Sequence, residues 1–97
     1  MSMKETQHLM NENKNTMLAD GFENAIIGLD VANDVFRVIY DRQKMIDILV
    51  HGDGMPIDDA IEYLEFNVWN TYVGEGTPIY ALEGGHEFIL ELINRNK

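Results

Sequence analysis

The sequence predicts an α+β fold: a small three-stranded sheet, a β-hairpin plus a third strand, packed against two to three helices in the order β-β-α-α-β-α. Three observations carry this reading. Two short β-rich runs flank the turn residues Asn33 and Asp34. Two stretches then place apolar residues at helical spacing, closed by Gly52 and Gly74 respectively. A last short run over residues 77–82 returns to strand character before Gly84 and Gly85 break it. With 97 residues and no internal repeat, the chain has room for one core. Residues 21–97 are read as that single domain. Residues 1–20, polar and Asn-rich, are read as a flexible arm with a short helix around residues 5–10.

The hairpin comes first. Residues 25–29 are apolar and β-rich, and Phe36, Val38 and Tyr40 alternate with Arg37 and Ile39. Asn33 and Asp34 tolerate the unusual backbone angles of the turn between them. Asp41 then caps a helix by accepting amide hydrogens of its first turn. Met45, Ile46, Leu49 and Val50 form the apolar face of that helix, and Gly52 stops it.

Pro56 opens the second helix at its first position, where a missing N–H costs nothing. Asp58 and Asp59 in the first turn complement the positive end of the helix dipole. Ile57, Ala60, Ile61, Leu64, Val68 and Tyr72 share the expected core face. At helical periodicity Asp58, Glu62 and Glu65 line up as an outward stripe, and Trp69 continues it one turn later. The Gly74-Glu75-Gly76 turn reverses the chain, Pro78 leads into the third strand, and Phe88, Ile89, Leu92 and Ile93 mark a closing helix.

Charge is the most informative bulk property. Seventeen acids against seven bases give a net charge of −10. Between Met45 and Asn94 there are ten Asp or Glu residues and no Lys or Arg. Such a surface repels phosphate backbones and anionic lipids, so direct nucleic-acid or membrane binding is not expected. No apolar run approaches the length of a transmembrane helix, and the N-terminal residues lack the apolar region of a secretory signal. The chain has no cysteine, which removes thiol catalysis and cysteine-based zinc sites and agrees with a reducing cytoplasm.

Chemistry-bearing motifs are sparse. The stretch GLDVAND, with Asp30 and Asp34, resembles the opening hairpin of ribonuclease-H-like nucleases, whose Asp helps hold two metal ions. The chain is short for the rest of that fold, and both residues are ordinary turn formers. His8, His51 and His86 do not share metal-ligand spacing. Asp58, Glu62 and Glu65 read as a solvated face before a cation site. The GEGTP turn lacks the lysine of a phosphate loop and follows a helix instead of a strand. No catalytic residue, metal site or cofactor is expected, and the chain is read as a non-enzyme.

The block GDGMPIDDAIEYLEFNVWNTYVGEGTPIY, residues 52–80, resembles a family of small bacteriophage-encoded proteins of unassigned activity. Their pattern is DGM, two variable positions, two acids, A-x-EY-x-EFN, and then YVGE-x-TP. FENAIIG and YDRQKMIDIL also follow the family's opening, so the resemblance spans roughly residues 22–82. Pro56 stands where the family usually has a Ser or Thr cap, and the Asp30 and Asp34 hairpin is outside its pattern. The resemblance implies a viral accessory protein acting in the bacterial host cytoplasm.

The leading expectation is therefore an acidic protein that binds and modulates or inhibits a host protein with a basic surface, in the manner of a nucleic-acid imitator. Its binding surface is expected at Asp58, Glu62, Glu65, Trp69 and Glu75. The alternative is a small-molecule or nucleotide-binding oligomer that sequesters its ligand. A metal-dependent nuclease using Asp30, Asp34 and a helix carboxylate is the third reading.

Overall fold

The computed structural model describes residues 15–96. The expected arm falls mostly outside the described residues, as do His8 and the helix expected around residues 5–10.

Chain order is β1 (Ile26–Asp30), β2 (Arg37–Asp41), α1 (Arg42–Asp47), α2 (Ile57–Leu64), β3 (Ile79–Ala81) and α3 (His86–Arg95). This is the α+β order read from the sequence. Each of α1 and α2 runs on into a π-helical turn, Ile48–Gly52 and Glu65–Trp69 respectively. The sheet order is β1-β2-β3. β1 and β2 form the antiparallel hairpin, with Asp30 opposite Arg37 and an irregularity between Ile26 and Gly28. β3 lies parallel to β2, pairing Ile79 with Ile39 and Ala81 with Asp41. The sheet is mixed because two helices intervene between β2 and β3, which lets the chain return in the same direction.

The core lies between one sheet face and the two middle helices. Val38 and Tyr40 of β2, Met45 and Leu49 from α1 and its extension, and Ala60 and Leu64 of α2 are buried together. Phe22 and Ala25 close one side. Asp41 is the joint of this arrangement. One carboxylate oxygen accepts from the Lys44 N–H at 2.9 Å, capping α1, and the other accepts from the Glu83 N–H at 2.9 Å. A single buried side chain thus ties the start of α1 to the exit of β3.

Three expectations change, and the closing helix forms as expected but outside the core. The domain starts before residue 21: the Ala19 N–H donates to the Tyr40 hydroxyl at 2.8 Å, and Thr16 Oγ1 donates to the Phe36 carbonyl at 2.8 Å. The predicted core face of α2 is too long, since Ile57 and Tyr72 are exposed and Val68 is half-buried against the core. Ile57 is the first residue of the helix and overhangs its end, while Tyr72 follows the last helical turn, which ends at Trp69. Pro56 is the N-cap and not the first helical residue. Finally, α3 forms but buries none of its residues: Phe88 and Ile93 are exposed, and Ile89 and Leu92 are half-buried. Two helices supply the core, within the two to three expected.

Candidate functional site

The turn GEGTP has a folding role for each glycine. Gly74 adopts φ +129°, a conformation side chains resist. At Gly76 a Cβ would run into the Asn15 backbone, and the Gly76 carbonyl accepts from the Met17 N–H at 3.2 Å. The Thr77 hydroxyl locks the turn, donating to the Gly74 carbonyl at 2.6 Å and accepting from the Val73 N–H at 2.9 Å. The sharp reversal sets residues 77–80 beside residues 69–72. Glu75 is exposed at the tip and borders a hollow with the hairpin residues Asn33 and Asp34.

The outer face of α2 is acidic, as expected. Asp58, Asp59, Glu62 and Glu65 are all exposed. Trp69 does not continue that stripe. It is half-buried against the core, its Nε1–H donates to the Met45 sulfur at 3.5 Å, and the Arg42 guanidinium covers its ring at 3.8 Å from the centroid. The cause is the π-helical turn. Bonding from i to i+5 brings residue 69 nearly above residue 64, and Leu64 is fully buried. An uninterrupted α-helical period would have kept Trp69 above Glu65.

The aromatic residues that do stand outward are Tyr63 and Phe66. Phe66 is 77 % exposed, whereas Leu64 two residues earlier is fully buried. With Asp59, Glu62, Tyr63 and Asn67, Phe66 lines a shallow depression on the helix surface. Sequence reasoning missed both rings because it followed the acidic stripe. The signal was available: at helical periodicity Phe66 falls opposite the centre of the apolar face. Of the expected stripe, Glu62 shares this depression with Phe66 and Tyr63, while Asp58 and Glu65 are exposed on the same helix outside its lining. The structure places Trp69 inward and Glu75 at a separate turn.

A second, different environment surrounds Trp69. An open cleft of ≈ 510 Å³ runs between residues 69–72 and 77–80, with Arg37 and Arg42 also in its lining. Arg37 Nε donates to the Thr77 carbonyl at 2.6 Å. Asp30 faces Arg37 in the hairpin register but accepts instead from the Ala32 N–H at 3.0 Å. Among the described residues the ion pairs are Lys44–Glu83 and Arg95–Glu91, so neither Arg37 nor Arg42 has a carboxylate partner there.

Among the described residues no three His, Cys, Asp or Glu side chains gather as a metal site. No helix among them is long and apolar enough to cross a membrane. Perturbed titration centres on the core tyrosines. Burial raises the Tyr40 pKa, the Ala19 N–H opposes this, and the charges of Glu23 and Asp20 add to the rise. Burial likewise raises Tyr80, whose ring stacks on Tyr40 at 5.9 Å between centroids. These are packing effects on structural phenols. Comparison with protein families, curated proteins and solved structures gives no match to this chain.

Proposed function

We propose that this chain is a non-enzymatic, phage-type accessory protein that docks the outer face of α2 on a basic surface of a bacterial host protein. The observation that carries this reading is Phe66, a large aromatic ring 77 % exposed that shares a shallow depression with Asp59 and Glu62. Solitary exposed apolar residues need no explanation. Here, however, Tyr63 adjoins Phe66 in the same depression, so the face offers an aromatic centre with an acidic rim. Interfaces draw affinity from such aromatic anchors and association rate from rim charge. The net charge of −10 opposes self-association through this face and favours a basic partner, including one that otherwise holds nucleic acid. The resemblance of residues 52–80 to phage proteins supports the host cytoplasm as the setting.

The test is affinity capture from a bacterial host lysate with the full chain and, in parallel, with Phe66→Ala and with Glu62→Lys/Glu65→Lys. The reading expects a basic protein retained by the natural chain and depleted with both variants. Equal retention by all three chains contradicts it.

The small-ligand alternative has a specific observation of its own, the cleft between Arg37 and Arg42.

A further inference from the structure

We infer that the cleft between Trp69–Tyr72 and Thr77–Tyr80 binds a nucleoside phosphate, with the phosphate on Arg37 and the base stacked at Arg42 and Trp69. The site is separate from the acidic face of α2 and does not depend on it.

The charge distribution is the first argument. Lys44 and Arg95 of the described chain are ion-paired with Glu83 and Glu91. The two arginines without such a partner among the described residues line one cleft. In a chain of net charge −10, leaving two guanidinium groups unneutralised together is not the outcome of a general excess of base. Both side chains are also held. The Nε bond to the Thr77 carbonyl at 2.6 Å orients Arg37 and uses one of its five N–H donors. The remaining donors suit bidentate contact with a phosphate.

Arg42 presents a different surface. Its guanidinium carbon lies over Trp69, 3.8 Å from the ring centroid. Guanidinium planes and aromatic rings both stack nucleobases. Tyr80 and Tyr72 add further aromatic lining, and Asn70, Thr71 and Thr77 add hydrogen-bonding groups. A volume of ≈ 510 Å³ falls within the range of small-molecule sites.

Spacing separates the two roles. Arg37 begins β2 and Arg42 directly follows it, so their Cα atoms are about 16 Å apart at the rise of a strand. The cleft is therefore elongated, with a hydrogen-bonding cation toward one end and a stacked cation toward the other. Asp34 and Glu75 occupy the adjoining hollow beyond Arg37 and Tyr72, so the phosphate belongs on the Thr77 side of Arg37.

The experiment uses the full chain and the fluorescence of Trp69, its single tryptophan. Adenosine mono-, di- and triphosphate are titrated separately, excited beyond the absorption of the base, beside adenosine and inorganic phosphate as controls. At least one nucleotide is expected to quench Trp69 saturably, with an affinity at least tenfold better than either control. Arg37→Lys keeps the charge and loses the fork, so it should weaken binding at least fivefold. Tyr72→Glu changes an exposed residue at the cleft and should weaken it at least tenfold, with an unchanged melting temperature. The proposal is overturned if no nucleotide quenches saturably at millimolar concentration. It is equally overturned if adenosine or phosphate alone binds as well as the nucleotides, or if binding is unchanged in Tyr72→Glu.

Discussion

The Nε1–H of Trp69 donates to the sulfur of Met45 across 3.5 Å, joining the last turn of α2 to the fully buried side chain at the centre of α1. This contact turns the ring away from solvent and makes it part of the packing. Trp69→Ala should therefore act on stability first. The expected loss is roughly 2–3 kcal/mol, below the 3–5 kcal/mol of a fully buried aromatic. Urea denaturation followed by circular dichroism measures it. A loss under about 0.5 kcal/mol, the range of ordinary surface changes, means the ring is not packed as described.

Asp41 gives a second prediction. Its carboxylate caps α1 at Lys44 and holds Glu83 after β3. Asp41→Ala removes a cap, worth about 0.5–2 kcal/mol, and leaves the Glu83 N–H without its acceptor. A total near 2 kcal/mol is expected. Asp41→Asn should recover part of it, because the amide oxygen still accepts one bond. Hydrogen exchange gives the local readout: the amides of Lys44 and Glu83 should lose protection together. Faster exchange at Lys44 alone would show that the tie to β3 is absent.

Leu64 and Phe66 occupy opposite sides of the same helix. Leu64 is 0 % exposed and Phe66 is 77 % exposed. Leu64→Ala should cost about 2–5 kcal/mol, and Phe66→Ala less than about 0.5 kcal/mol. Similar denaturation midpoints for the two variants contradict the register of α2.

The chain has four tyrosines, and burial of Tyr40 and Tyr80 raises both phenols above their ordinary value of 10.0. A raised folded pKa means that the fold favours the protonated phenol. This contribution is fully present below the unfolded pKa and is lost as pH rises through the folded value. Stability should fall in the alkaline range above pH 10, and Tyr40→Phe should soften that fall while losing the bond from Ala19. Ultraviolet absorbance titration is the check. Ionisation of all four phenols together near the ordinary value, without unfolding, contradicts the burial of this pair.

Much of the fold was legible because local signals agreed with one another. Asn33 and Asp34 marked the hairpin turn, Asp41 the helix cap, and Met45, Ile46 and Leu49 a buried face. The third strand was legible from the glycines and Pro78, although only Ile79–Ala81 pairs. What escaped depended on tertiary geometry. A π-helical turn has no mark in a periodic reading of residues 65–69, so Trp69 was placed outward. Docking of Thr16 and Ala19 rests on contacts with Phe36 and Tyr40, some twenty residues away. Nor could spacing show that Arg37 and Arg42 border one cleft, because the turn at Gly74 and Gly76 creates it. The acidic stripe was legible, and so was the outward position of Phe66 opposite the apolar face, which the stripe drew attention away from.

The outer face of α2 is proposed to bind a basic protein surface through Phe66. The most direct test of this claim is the binding kinetics of the captured host protein against the natural chain, Phe66→Ala and Glu62→Lys/Glu65→Lys, at two salt concentrations. Phe66→Ala should weaken the equilibrium constant at least tenfold, about 1.4 kcal/mol, mainly through faster dissociation. The double lysine variant should slow association several-fold and flatten its dependence on salt. Unchanged rates in both variants at both salt concentrations would contradict the claim and leave this face a solubilising surface.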